Sequence, residues 1–101
     1  MIILNTTFVI SHTIYDAFVQ WLKDVYVPAA MVTGLFSSSR ISKILHNEDP
    51  RAVNIACELT CDSLSEAVRW HDDTASLLRD DMASHWGENA LFFTTYLKRI
   101  D

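Results

Sequence analysis

Few side chains in this sequence have both the type and the spacing to do chemistry. Histidine comes first, because its unperturbed pKa near neutrality suits proton transfer. His71 lies on the apolar stripe of a helix beside Trp70 and is the one candidate catalytic base. The simpler reading of it is a half-buried ring bonded to a backbone carbonyl. His85, just before Trp86, falls at a helix end, where a cation is favourable without any function. His12 and His46 fall in turns and are expected to face solvent. No pair of histidines has metal spacing with a matching Cys or carboxylate, and there is no C-x-x-C, so neither a metal nor a cofactor is expected.

Trp21, Tyr26 and Trp70 could line a pocket for a flat apolar ligand, or could simply be core, since aromatic residues dominate small cores. Arg40 and Arg79 could hold an anionic group; a surface ion pair with a nearby Asp is the simpler expectation. The candidate pocket-lining set is therefore Trp21, Tyr26, Trp70, His71 and Arg79. Ser37-Ser38-Ser39 has no G-x-S-x-G around it, and no phosphate loop or dinucleotide fingerprint is present. Nothing here names a reaction.

Composition bounds the rest. A chain of 101 residues fits one domain, residues 1–101, with a limited core. Yet 50% of it is apolar or aromatic, so some of that surface is expected to be buried against a partner. A net charge of −5 disfavours nucleic acid and anionic membranes, which need clustered Lys and Arg. No run approaches the ~20 apolar residues of a membrane span, and the first residues do not read as a signal peptide. Cys57 and Cys61 on one strand stand ~13 Å apart at ~3.3 Å per residue. That is beyond the ~7 Å reach of a disulfide. Two free thiols suit a cytoplasmic location.

These residues must be positioned by a small set of elements. Residues 2–10 read as a strand, β-branched and aromatic, with Ile2, Leu4, Thr6, Phe8 and Ile10 as the more apolar face. Thr13 or Ser11 caps a helix carrying Ile14, Phe18, Trp21, Leu22 and Val25 at helical spacing. Pro28 is expected to end or kink it, with Val27 pushed out of the α region. One or two further turns then close at Gly34. Residues 35–45 read as an edge strand, His46 to Pro50 as a turn, and 52–60 as a strand with Val53, Ile55, Cys57 and Leu59 on one face. Ser63 with Glu66 forms a capping box for a helix running to about Trp86, where Gly87 stops it. Its buried stripe is Leu64, Ala67, Val68, His71, Ala75, Leu78 and Met82. Residues 90–100 form the last strand, apolar on both faces.

The order β-α-β-β-α-β predicts an α+β, ferredoxin-like fold: a four-stranded antiparallel sheet with two helices on one face. The other face is left open. Ile3, Val9, Phe92 and Tyr96 are expected there, too much apolar surface for a monomer, and a two-fold homodimer packing sheet on sheet would cover it.

The helix ending in Val27-Pro28-Ala29-Ala30-Met31-Val32-Thr33-Gly34-Leu35-Phe36 resembles the dimeric α/β-barrel superfamily. More narrowly, the chain is similar to a family of short bacterial proteins known only as a domain of unknown function. Asn5-Thr6-Thr7, Trp21-Leu22, Pro28 through Phe36, Leu78-Arg79 and Trp86-Gly87 carry that likeness. Tyr26, two residues before the proline, stands where such families commonly have His. The superfamily includes cofactor-free monooxygenases, haem-degrading enzymes, isomerases, haem-dependent dismutases and sensor domains. The haem-degrading members pair a strand-one Asn and a helix-two Trp with a His about three turns on; Asp80 stands there in this chain. The resemblance implies a homodimeric α/β-barrel that binds a small apolar or aromatic molecule or a protein partner, with no catalytic activity assigned. The alternative is a cofactor-independent, antibiotic-biosynthesis-monooxygenase-like enzyme acting on an aromatic or lipophilic substrate, with His71 as base. A sensor domain is a third possibility, without an accompanying DNA-binding segment.

Overall fold

A computed structural model describes residues 1–46 and 48–101. Strands β1 (Ile2–Ser11), β2 (Ser38–Ile44), β3 (Ala52–Cys61) and β4 (Ala90–Lys98) form one antiparallel sheet in the order β2-β3-β1-β4. Helices α1 (Tyr15–Trp21) and α2 (Val27–Met31) lie between β1 and β2, and α3 (Leu64–Asp72) and α4 (Thr74–Trp86) between β3 and β4. The fold is therefore the expected ferredoxin-like βαββαβ. Its two best-patterned strands are central, and β2, with its run of serines, is at an edge. In the turn after β2, Asn47 lies outside the described residues, while Asp49 Oδ1 accepts from the Arg51 N–H at 2.9 Å.

The first helical arm starts at Ser11, one of its two expected caps, whose hydroxyl accepts from the Thr13 N–H. It departs from expectation at Pro28, which neither ends nor breaks the helix. Val27 stays in the α region (φ −65°, ψ −45°), and helix continues to Met31. What absorbs the missing N–H and the ring's clash with the preceding turn is a π turn over Leu22–Tyr26, in which the Val27 N–H reaches back to the Leu22 carbonyl. That wide turn has a packing consequence. Residues spaced by four drift about 40° per step around a regular helix. Phe18, Leu22, Tyr26 and Ala30 are spaced by four, and all are fully buried at 0% exposure. Fewer degrees per residue in the π turn keep this stripe aimed at the sheet. Gly34 then takes the left-handed conformation (φ 73°) that turns the chain toward β2.

The second arm was expected as one helix and is two. It breaks at Asp73 (φ −98°, ψ −78°). Asp72-Asp73-Thr74 are poor helix formers whose side chains compete for backbone groups. Ser63 caps α3 by accepting from the Glu66 N–H, as expected. Leu64 does not belong to the buried stripe and is 49% exposed, whereas Trp70 is buried. Gly87 (φ 54°) ends α4.

Register decides which residues face the helices. Leu4, Thr6, Phe8 and Ile10 of β1 pair across with Tyr96, Thr94, Phe92 and Ala90 of β4, and all eight share the face that carries the helices, with Phe92 and Tyr96 still exposed on the edge strand. Phe92 and Tyr96 were expected on the open face; β4 is apolar on both sides, so its own pattern could not say which side is which. The open face instead carries Ile3, Val9, Leu91, Phe93 and Leu97, with Ile44 on the edge strand. Leu91, Phe93 and Leu97 are all exposed. The closed face holds a continuous aromatic core. Phe8 stacks edge-on against Phe18 and Tyr26, Tyr26 against Trp70, and Trp70 against Phe36, with centroids 5.2–5.8 Å apart.

Candidate functional site

Four of the five suspected pocket residues lie near one another at one side of the core, but no cavity is lined by more than one of them. Trp21 is the exception. It is half-buried at the outer end of the aromatic cluster against Phe18 and Trp86, and its indole N–H points to Asp81 at 3.4 Å. Trp21 touches Tyr26, but only as part of the packed core.

His71 is held by two side chains rather than by a backbone carbonyl. Nε2 lies 2.7 Å from Thr94 Oγ1 and Nδ1 lies 3.1 Å from Asp72 Oδ1. A neutral ring satisfies both, with Nδ1–H donating to the carboxylate and Nε2 accepting the Thr94 hydroxyl. The ring also packs edge-on against Tyr96 at 6.1 Å. The result is a hydroxyl–imidazole–carboxylate chain, with the imidazole side chain 13% exposed and Asp72 65% exposed. Its three members line none of the three cavities described below.

Arg79 sits one layer beyond. Its guanidinium lies 4.8 Å over the Phe92 ring, and Nη2 donates to the His71 carbonyl at 2.8 Å, bridging the break between α3 and α4. No carboxylate comes within ion-pair distance of it among the described residues. The expected surface pair with an Asp is therefore not formed, in a chain with 13 acidic residues. Nη1 is buried and has no protein hydrogen-bond partner.

That orphan is one of several here. The Tyr26 hydroxyl, Thr6 Oγ1 and Trp70 Nε1 are also buried without a partner. Tyr26 is 0% exposed, Thr6 1% and Trp70 5%. The Thr6 hydroxyl lies close enough to the phenol to favour its ionised form. Burial pushes the Tyr26 phenol up to about 12, Cys57 adds to that rise, and Thr6 and the Arg79 charge oppose it. Tyr96 is raised by burial and by Asp72, again opposed by Arg79. The guanidinium therefore lies within electrostatic reach of both phenols. Most buried polar groups in folded proteins find a partner, so these four stand out, as do Asn5 Oδ1 and Asn54 Oδ1 on the other face of the sheet.

Beside it runs an open groove of about 640 Å³ between α4 and β4, lined by Arg79, Met82, Ala83, Ala90, Leu91 and Phe92 among others. A smaller cavity of about 240 Å³ opens over Trp70 and Leu35. The third, about 250 Å³, lies at one end of the open sheet face between Arg40 and Arg99. Arg40 is thus on the open face, directly across from Glu58, and remote from the site.

The other histidines behave as expected. His12 and His46 are exposed, and His85 is exposed with Nδ1 at 3.1 Å from the Asp81 carbonyl near the end of α4. Cys57 and Cys61 are both free and buried, and burial pushes Cys57 up to about 12, leaving it an inert thiol. Among the described residues no three His, Cys, Asp or Glu side chains converge as a metal site, and no helix is long and apolar enough to cross a membrane. Sequence reasoning missed Thr6, Phe92 and Thr94, which join the site only through strand register.

No curated protein and no solved structure matches the chain. A family match does, over residues 1–100, and in keeping with the resemblance drawn from Pro28 to Phe36 the protein belongs to the family described as Domain of unknown function (DUF4286).

Proposed function

We propose that this protein is a homodimeric small-molecule binder, with one ligand seat per protomer between α4 and β4. The observation that carries the binding reading is the open groove of about 640 Å³ walled by Met82, Ala83, Ala90, Leu91 and Phe92, with Arg79, which has no ion-pair partner among the described residues, in its lining. A pocket that fixes a ligand with a few placed polar groups and an apolar lining has this make-up.

The dimer follows from the open face. Ile3, Val9, Leu91, Phe93 and Leu97 form an apolar sheet surface of a kind that marks an interface. Its charge supports a second copy as the occupant. The chain carries −5 overall, which opposes self-association, yet the open-face strand positions hold one cation, Arg40, opposite one anion, Glu58. The acidic excess lies elsewhere, so two such faces can meet without like-charge repulsion.

Binding is tested by following tryptophan emission while titrating neutral and charged aromatic and aliphatic small molecules. Saturable change with at least one member supports the reading; a flat response across the panel contradicts it.

A second reading has its own observation. The Thr94–His71–Asp72 chain orients an imidazole as a general base needs. It favours the monooxygenase-like alternative, with His71 taking a proton from a phenolic substrate. Against it, the aromatic core fills the middle of the layer. Oxygen consumption with a panel of phenols, lost in His71→Gln, would support that chemistry; no uptake above a protein-free control would exclude it for those substrates.

A further inference from the structure

We infer that the free edge of β4 pairs with β4 of a second copy, antiparallel, with Thr94 on the two-fold axis. This goes beyond the sheet-on-sheet contact proposed above and does not depend on it. Three observations carry it.

The first is that the two edges of the sheet differ. β2 has 7 residues and carries Arg40 and Lys43. Charges on an edge strand discourage other strands from adding to it. β4 has 9 residues, no proline, and one charge, Lys98, at its last position. It runs one to one against β1 without a bulge. Leu91, Phe93 and Leu97 on one face and Phe92 and Tyr96 on the other are all exposed. Packing on the open face covers only the first three. The α4–β4 groove is lined by both Leu91 and Phe92, which point to opposite faces, so it opens at the edge of the strand and leaves that edge accessible.

The second is the direction of the peptide groups. The Arg99 N–H donates to the Met1 carbonyl at 3.0 Å, so the backbone of Arg99 faces β1. Direction alternates along a strand. Leu91, Phe93, Thr95 and Leu97 therefore also face β1. Phe92, Thr94, Tyr96 and Lys98 turn outward, where the sheet has no further strand. Such a row of unpaired N–H and C=O groups is a template for another strand.

The third is the order of the side chains. Ala-Leu-Phe-Phe-Thr-Thr-Tyr-Leu-Lys is close to a palindrome about Thr94. Antiparallel pairing centred there uses the whole strand and brings outward-facing groups to outward-facing groups. It sets Leu91 opposite Leu97, Phe92 opposite Tyr96, and Thr94 opposite itself. Aromatic cross-strand pairs are favourable. Lys98 falls opposite Ala90, so the one charge does not meet its own copy. Each pair shares a face, so the two sheets continue as one, and the contact is self-complementary as a two-fold axis requires. One pair of strands buries little area, below about 1,200 Å², so the contact is expected to form above the micromolar range.

The test is disulfide cross-linking under mild oxidation, since the native Cys57 and Cys61 are buried. Hydrogen-bonded antiparallel partners have Cα atoms about 5.5 Å apart, within the roughly 4.4–6.8 Å of a disulfide. In Lys98→Cys the two thiols would stand eight residues apart along the pair, about 26 Å. Thr94→Cys is expected to cross-link roughly 10-fold faster than Lys98→Cys. Equal rates would overturn the inference. Sheet-on-sheet packing sets the two Thr94 residues on opposite outer faces and cannot give this cross-link, so its failure leaves that contact standing. If Thr94→Cys does not fold by circular dichroism, sedimentation velocity of the native protein into the hundred-micromolar range decides. A mass that rises above its micromolar value, and does not rise in Tyr96→Lys, is expected. A constant mass, or a rise unaffected by Tyr96→Lys, would overturn the inference.

Discussion

Phe8 on β1 and Phe93 on β4 lie one step apart in the register and meet opposite environments. Phe8 is 0% exposed beneath the helices, and Phe93 is 55% exposed on the open face. Both faces are rich in large apolar side chains, yet only one is covered. On the closed face burial is complete enough that polar groups become expensive, and there Thr6, Tyr26 and Arg79 stand out. On the open face Asn5 Oδ1 and Asn54 Oδ1 are buried without a partner too, but the large apolar side chains Leu91, Phe93 and Leu97 stay exposed. The difference teaches that apolar content alone does not locate a core; coverage by the two helical arms does. On the function proposed above, each face has its own kind of partner, a small molecule on one side and a second sheet on the other.

The largest expected effect separates the faces by stability. Phe8→Ala removes a ring packed between Phe18 and Tyr26 and should cost about 3–5 kcal/mol in chemical denaturation. Phe93→Ser on the open face should change the stability of an isolated protomer by less than about 0.5 kcal/mol. Similar losses in both would break the contrast.

Alkaline pH sharpens it next. Burial raises Tyr26 from 10.0 to about 12 and Cys57 from 9.0 to about 12, both on the closed face. Each group keeps its proton in the folded state to higher pH than in the unfolded chain. The unfolded state therefore releases protons first, and stability falls as pH climbs from about 9 through about 12. Denaturation midpoints measured across that window should decline; Cys57→Ala should flatten the lower part of the slope.

Two smaller effects probe the polar spot itself, with opposite signs. Tyr26→Phe deletes a buried hydroxyl that has no partner, so the ligand-free protein should gain about 1 kcal/mol. Thr94→Val deletes a hydroxyl bonded to His71 at 2.7 Å and should lose about 1 kcal/mol. Loss in both variants would mean that the Tyr26 hydroxyl is satisfied in the folded protein.

How much of this was legible beforehand follows from what kind of signal each feature leaves. Strand order, Ser63 as a cap, and Gly34 and Gly87 as stops are local signals, and the structure follows them. The path through Pro28 was not legible, because a π turn over Leu22–Tyr26 takes up the strain and leaves no residue-type mark. The break at Asp73 is visible afterwards in Asp72-Asp73-Thr74, but the apolar period runs through it undisturbed. Phe92 and Tyr96 could be given a face only by pairing with Phe8 and Leu4, since β4 is apolar on alternate and intervening positions alike. The candidate site shows the same limit. Tyr26, Trp70, His71 and Arg79 were identifiable by type, but Thr6 and Thr94 reach them through cross-strand register alone.

The contrast between the faces stands most directly on whether a second copy covers the open one. Sedimentation velocity at micromolar concentration measures this. The prediction is a species of twice the 11.5 kDa of one chain, with Phe93→Asp sedimenting as a single folded chain of that mass. A native protein that sediments at 11.5 kDa throughout the micromolar range would contradict it.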